Sequence, residues 1–191
     1  MSKKIIFINN DVTYFFLHRK KFVKYFKEKN FDISYIFPAN QKELLSQYIE
    51  KKIFNNKSKV HFFNFERRSM NIYRELISIF NLYKIFKKEN PNIVYTTTLK
   101  LSLYLLLINL FFKKKIINNF SGLGYLYVNN SKKIRIIRFS FEFILKLISN
   151  KNIIYIFENN RDLDYFVNKN ILKSSKCFNI NGVGVNIGKF K

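Results

Sequence analysis

Seven short apolar runs, separated by segments long enough for helices, constrain this chain more than any single motif. They span Lys4 to Asn9, Asp32 to Phe37, Lys59 to Phe65, Asn92 to Thr96, Lys115 to Asn119, Asn152 to Phe157 and Cys177 to Asn181. Each has the length and the Ile, Val, Phe and Tyr content of a strand. Parallel strands need long crossovers, so this alternation predicts repeated βαβ units on an α/β, Rossmann-like, mostly parallel sheet with helices on both faces. With 191 residues, 48% of them apolar, the chain can bury a core of its own. No internal repeat or low-complexity linker interrupts it, so residues 1–191 read as one unit.

The intervening segments show helical periodicity. From Phe15 to Lys29, Phe15, Phe22 and Phe26 share one face and Lys20, Lys24 and Lys27 another; from Ile72 to Glu89 the inward set is Leu76, Ile79, Phe80, Tyr83 and Phe86. Pro91 ends the second helix, because the residue before a proline disfavours the α region. Leu101 to Phe112 is strongly apolar but covers only about twelve residues against the ~20 that span a bilayer, so a buried helix is expected. Ser131 is placed to cap a helix from Lys132 to Ser149, whose basic face carries Lys132, Lys133, Arg135, Arg138 and Lys146.

Charge narrows the partners. Thirty-five Lys and Arg against 12 Asp and Glu give +23, which favours phosphates, nucleic acid or an anionic membrane surface. Lys, Asn, Ile and Phe are over-used together, as in A+T-rich coding DNA, and that bias accounts for roughly half the excess without any binding role. Cys177 is the only cysteine, which excludes an internal disulfide and reads as an inert thiol in a reducing compartment. The four apolar residues from Ile5 to Ile8 are too few for a signal peptide, so the start reads as a first strand of a cytoplasmic protein. Two histidines and one cysteine offer no metal-ligand spacing, and neither a Walker loop nor a Gly-x-Gly-x-x-Gly fingerprint is present. His61, between apolar neighbours, reads as a structural histidine.

Glycine is scarce, which makes Gly122 and Gly124 informative. They lie in Ser121-Gly122-Leu123-Gly124-Tyr125, just after a strand. Glycine admits positive φ and close approach, so the pair predicts a loop shaped around a ligand at the carboxyl end of a parallel strand.

These segments, taken in order, resemble the amino-terminal half of bacterial glycosyltransferase family 4 enzymes of the GT-B fold. Tyr14-Phe15-Phe16-Leu17-His18-Arg19 is similar to the phenylalanine-rich turn, ending in His-Arg, of the branch that elongates lipid-linked glycans for capsule, O-antigen or protein glycosylation. Arg67-Arg68-Ser69-Met70-Asn71 resembles its Arg-x-Ser-x-Asn helix entry. Pro91 to Lys100 resembles Pro-Asp-Ile-Val-His-Thr-His-Thr-Pro-Lys, with Tyr95 and Thr97 in place of both histidines, so no histidine role carries over there. Ser121 to Tyr125 matches Thr-Gly-Leu-Gly-Tyr, and Gly182-Val183-Gly184-Val185-Asn186 resembles the Gly-x-Gly-Val-Asp at the crossover to a second domain.

The resemblance implies retaining transfer of a hexosyl group from a nucleotide-sugar, the donor substrate, to a polyprenyl-linked glycan, with no cofactor or metal. It places His18, Arg19, Lys100, Ser121, Gly122, Gly124 and Tyr125 on the acceptor or diphosphate side of a cleft. Glu158, Asn159, Gly182 and Gly184 are placed between domains. The family's sugar-nucleotide-binding carboxy-terminal half has no counterpart in 1–191, so the chain is expected to be inactive alone, to bind nucleotide-sugar weakly, and to work with a separate carboxy-terminal subunit if the enzyme is split. A lipid-linked acceptor implies a protein peripheral to the inner face of the membrane, held there by the basic helix and by Tyr14 to Phe16. The competing reading is a basic membrane or nucleic-acid binding module without catalysis; no pattern of specific nucleic-acid recognition is present.

Overall fold

The computed structural model describes residues 3–50, 58–67, 69–149, 152–180 and 182. Within them β1 (Lys4–Ile8), β2 (Asp32–Pro38), β3 (Lys59–Phe63), β4 (Ile93–Thr97), β5 (Lys115–Phe120), β6 (Ile153–Phe157) and β7 (Cys177–Asn179) form one sheet in the order β3-β2-β1-β4-β5-β6-β7. Every pairing is parallel. All seven expected strands are found, and the last one's predicted end, Asn181, lies outside the described residues. The chain builds outward from β1 to β3, then returns to β1's other side with β4. The crossover direction therefore reverses between β1 and β4, which opens a crevice at their carboxyl ends.

The helices are α1 (Val12–His18), α2 (Lys20–Glu28), α3 (Lys42–Glu50), α4 (Ile72–Glu89), α5 (Leu99–Phe112), α6 (Tyr125–Val128), α7 (Lys132–Ile148) and α8 (Asn160–Asn168). Side-chain alternation along the strands feeds two cores. On one face Ile6, Ile8, Val94, Ile116, Phe120 and Phe157 pack with Leu82, Leu105, Phe141, Leu145 and Phe166 from α4, α5, α7 and α8. On the other, Ile5, Phe7, Tyr35, Phe37 and Tyr95 pack with Val12, Phe15, Phe26 and Leu45 from α1, α2 and α3. Phe7 is central there, with the rings of Phe15, Phe26, Tyr35 and Tyr95 centred 5.4 to 6.0 Å away.

Several local expectations change. The predicted helix from Phe15 to Lys29 is two helices broken at Arg19, whose φ of −116° and ψ of 2° interrupt the turn. In α4 Phe86 is buried as expected and Ile79 and Tyr83 pack partly buried against the core, but Ser78 and Leu82 complete the buried side while Leu76 and Phe80 are exposed; with apolar residues around much of this helix, periodicity alone sets the stripe too far to one side. The Ser131 side chain makes no cap bond to α7. Arg138 leaves the expected basic face, donating from Nε to Leu126 O (2.9 Å) and from Nη2 to Asn129 O (2.8 Å), so it fastens α6 to α7. Phe15 and Phe16 are buried, which removes them as membrane anchors. Among the described residues no helix is long and apolar enough to cross a membrane.

The amino edge of the sheet closes on one carboxylate. Glu89, at the end of α4, is buried and receives Lys59 Nζ at 2.6 Å, Lys4 Nζ at 3.2 Å and His61 Nε2 at 3.1 Å. Burial alone would raise its pKa, but the bonds from Lys59 and Lys4 outweigh it and hold the carboxyl below its ordinary 4.5. Burial holds His61 below its ordinary 6.5. Below pH 6.5 the unfolded chain therefore takes up a proton that native His61 resists, and stability falls. The contribution of Glu89 is fully present above pH 4.5 and is lost as pH drops through its depressed folded value. Thermal melting from neutral to acid pH should fall in these two stages, with His61→Phe removing the first and Glu89→Gln the second. At neutral pH Glu89→Ala should cost about 3 kcal/mol by stranding the lysines, or ~6 to 12 °C of melting temperature.

Candidate functional site

The break between α1 and α2 builds the site. Asp11 caps α1 by accepting Tyr14 N at 2.7 Å, and the helix runs about two turns beyond the carboxyl end of β1 before Arg19 interrupts it. The interruption turns the Arg19 side chain inward, where it is 1% exposed. Its Nη2 donates to Glu158 Oε1 at 2.6 Å and to the Tyr14 hydroxyl at 3.0 Å, and the guanidinium lies 5.2 Å from the centre of the Tyr14 ring. Glu158 follows β6, and its backbone N–H donates to Phe120 O at the end of β5. Its Oε1 also accepts Asn119 Nδ2 at 2.8 Å. One carboxylate oxygen thus joins α1, β5 and β6 through charge-assisted bonds.

Beside this pair lies an open cavity of about 500 Å³, lined among others by His18, Lys21, Phe22, Tyr25, Tyr95 and Gly182. Arg19, Asn119 and Glu158 form its polar wall, and Ile117, Ile156 and Ile180 its apolar side. Burial raises the Tyr95 hydroxyl well above the ordinary tyrosine range, so it is a neutral donor. His18 is half-buried, its ring 4.5 Å from that of Tyr14. Such a cavity combines flat aromatic walls with one anchored carboxylate and nearby cations, a set that suits a polyhydroxylated ligand carrying negative charge.

Among the described residues, other buried polar atoms at this edge make no hydrogen bond: Arg19 Nε, both ends of the Asn118 amide, and the hydroxyls of Thr97 and Thr98. Thr98, at the turn from β4 into α5, has φ +75°, a strained conformation for a β-branched residue. Buried polar groups are normally satisfied within the protein, so their concentration at the carboxyl ends of β4 and β5 sets this edge apart.

The structure brings His18, Arg19, Glu158 and Gly182 together at the cavity. The loop from Ser121 to Gly124 follows β5 on the same edge, but neither it nor Tyr125 lines the cavity. Gly122 has φ +154° and Gly124 φ +57°, and a Cβ at either would meet nothing within 4 Å. Their backbone conformation alone requires glycine, and the ground in front of the loop is open. Lys100 stands apart: its Nζ is taken up by Glu66 O (2.7 Å), Ser69 O (3.0 Å) and Glu75 (2.8 Å), which ties the entry of α4 to α5. Asn159 caps α8 by accepting Asp162 N at 2.8 Å. Gly184 lies outside the described residues. Burial pushes the Cys177 thiol up to about 11, which leaves it unreactive at neutral pH. Among the described residues no cluster of His, Cys, Asp and Glu is arranged to hold a metal ion.

Sequence reasoning missed Tyr14, Tyr95 and Asn119 as site residues. A signal for Asn119 existed: two adjacent asparagines end an otherwise apolar strand in a sheet buried on both faces, where an amide is costly without a purpose.

Residues 4–151 match the family model described as glycosyl transferase 4-like. No curated protein matches the sequence. Among solved structures, UDP-N-acetylglucosamine 2-epimerase from Rickettsia bellii is similar with a TM-score of 0.65 and 13% identity, covering 94% of this chain and 44% of its own. Sucrose-phosphate synthase from Thermosynechococcus elongatus gives 0.64 and 9%, covering 97% and 49%. MurG from Acinetobacter baumannii gives 0.57 and 8%, covering 98% and 47%. The chain spans about half the length of the structures it resembles, and its fold is the Rossmann-like half of a GT-B architecture.

Removing one partner of the buried pair should be more damaging than removing both charges. Arg19→Met should cost about 3 kcal/mol, and adding Glu158→Gln should restore part of the loss, because the uncompensated carboxylate is then gone. Urea denaturation of the two single variants and the double variant measures the coupling.

Proposed function

Because the chain belongs to the glycosyl transferase 4-like family, we propose that it is the acceptor-side half of a retaining glycosyltransferase of the lipid-linked glycan, capsule or O-antigen branch. It takes a hexosyl group from a nucleotide-sugar and places it on a polyprenyl-linked glycan at the inner face of the membrane. The observation that carries this reading is the cavity at the carboxyl edge, where aromatic rings face a carboxylate immobilised by Arg19 and Asn119. Sugar rings present apolar C–H faces to aromatic side chains and hydroxyls to fixed acceptors, so Phe22 and Tyr25 would stack the acceptor sugar and Glu158 would orient its hydroxyls.

In the proposed reaction the acceptor hydroxyl oxygen bonds to the anomeric carbon while the bond from that carbon to the diphosphate oxygen breaks, and the hydroxyl proton passes to the departing diphosphate. Charge then grows on the leaving diphosphate, and cations and amides aimed at it lower the barrier. His18 and Lys21 at the rim, with the exposed backbone of Ser121 to Gly124 along the same edge, are the groups of this chain suited to that task. The sugar-nucleotide itself is assigned to a carboxy-terminal half, on this chain or on a separate subunit. The fold is shared with UDP-N-acetylglucosamine 2-epimerases, and the family match supports transfer over epimerisation.

Two measurements test the proposal. By calorimetry, the isolated chain should show no micromolar binding of UDP- or GDP-sugars; micromolar affinity would overturn the assignment of the donor to another half. When the chain is completed with a carboxy-terminal half, transfer to polyprenyl-linked glycan should fall about tenfold or more in His18→Ala and in Tyr25→Ala, with melting temperature nearly unchanged. Wild-type rates in both variants would move the site elsewhere.

A further inference from the structure

We propose that the outer surface of α4, α5 and α7 is a docking face for an anionic lipid bilayer. It lies across the sheet from α1 and α2, is separate from the cavity, and is inferred without reference to sugar transfer. Helix α7 carries two apolar sides. One, with Ile134, Phe141 and Leu145, is buried on the sheet. The other, Ile136, Phe139, Phe143 and Leu147, recurs at helical spacing and is 67%, 70%, 54% and 66% exposed. The core needs only the first, so the second is unexplained by folding.

The same pattern continues across the layer. Helices α4, α5 and α7 all pack on one sheet face, so the sides turned away from the sheet share a common exterior. On it α5 exposes Leu110 and Phe111, and α4 exposes Tyr73, Leu76 and Phe80. Between α4 and α5 runs an open groove of about 380 Å³ lined by Leu76, Phe80, Tyr83, Leu107 and Phe111.

Charge selects the occupant. Residues 72–148 contain thirteen Lys and Arg against three carboxylates. All three carboxylates are engaged: Glu75 with Lys100, Glu89 with Lys4 and Lys59, and Glu142 with the Tyr165 hydroxyl. Lys84, Lys87, Lys88, Lys113, Lys132 and Lys146, on or at the ends of these same helices, are exposed, and Lys84 Nζ sits 4.5 Å from the centre of the Phe80 ring. A second copy would bring the same +23 against itself. An anionic bilayer answers both halves of the surface, because phenylalanines enter the acyl boundary while lysine stems extend their ammonium groups back to the phosphates.

The test is co-sedimentation with vesicles of phosphatidylcholine, with and without phosphatidylglycerol. The chain should bind the anionic vesicles and bind pure phosphatidylcholine far more weakly, and added salt should weaken the anionic binding. Phe139→Glu/Phe143→Glu and Phe80→Glu/Phe111→Glu should each reduce binding ~10-fold or more. Lys24→Gln/Lys27→Gln, which changes the net charge equally on the opposite side of the sheet, should bind like the parent. Because the chain has no tryptophan, Phe139→Trp supplies a second readout that needs no destabilising charge: its emission should shift to the blue with anionic vesicles and be quenched by brominated acyl chains. Equal losses from the face and control variants, or an unshifted tryptophan, would overturn the proposal in favour of generic charge. Equal binding to single-stranded DNA with the same variant effects would overturn it in favour of nucleic acid, and self-association abolished by the face variants without vesicle binding would overturn it in favour of a second copy.

Discussion

The bond between Arg19 and Glu158 is the constraint around which the carboxyl edge is arranged. A charged arginine is a poor choice for the buried side of a helix, and here the helix breaks where it occurs. The break redirects the side chain to a carboxylate that follows β6, 139 positions further along the chain. With Asn119 donating to the same oxygen, three elements distant in sequence share one acceptor. Desolvating two charges is expensive, and well-packed apolar residues would often stabilise as much. What the pair supplies is placement: a carboxylate with its orientation fixed before any ligand arrives, which apolar packing cannot provide.

The two ends of the sheet divide their work. At the amino edge, the Glu89 carboxylate is enclosed by nitrogens of Lys4, Lys59 and His61, 2.6 to 3.2 Å away. At the carboxyl edge, the Asn118 amide and the Thr97 and Thr98 hydroxyls find no partner among the described residues, and the turn into α5 keeps a strained threonine. A parallel sheet directs every crossover so that the loops after the strands gather on one side, and the reversal between β1 and β4 separates them into a crevice. Both edges hold a buried ion pair, and the carboxyl edge adds a strained residue and polar side chains left unpaired among the described residues, as expected where an edge is shaped for binding.

The fold was legible because its signal is coarse. Seven strand-length apolar runs with helical spacers admit few arrangements, and the handedness of βαβ crossovers removes most of those. The site was legible in part. His18, Arg19, Glu158 and Gly182 come together as a group, yet their partners do not follow from local sequence: nothing near Arg19 indicates that its counter-charge is Glu158, since that contact is set by the strand order, which brings the residue after β6 to the break between α1 and α2. Lys100 illustrates the converse. Its place at the start of a helix after β4 suggests a free cation, whereas Glu75, Glu66 and Ser69 capture it. The error at Leu76 and Phe80 has a different source, because a helix with more apolar residues than the core can hold gives no unique inward stripe.

That surplus bears on the charge as well. If +23 were only a by-product of coding composition, lysines would be distributed without regard to exposed apolar residues, and carboxylates would be interspersed with them. In residues 72–148 the few carboxylates are all occupied by internal partners, while the helices that expose phenylalanines also expose lysines, Lys84 lying over the Phe80 ring. Composition can supply the lysines; it does not explain why helices that cover the core so completely also turn Phe80, Phe111, Phe139 and Phe143 toward the exterior. Among the described residues no further layer lies over these rings on α4, α5 and α7. A partner that is both apolar and negatively charged removes the conflict, which is why the surplus argues for an interface rather than for imperfect packing.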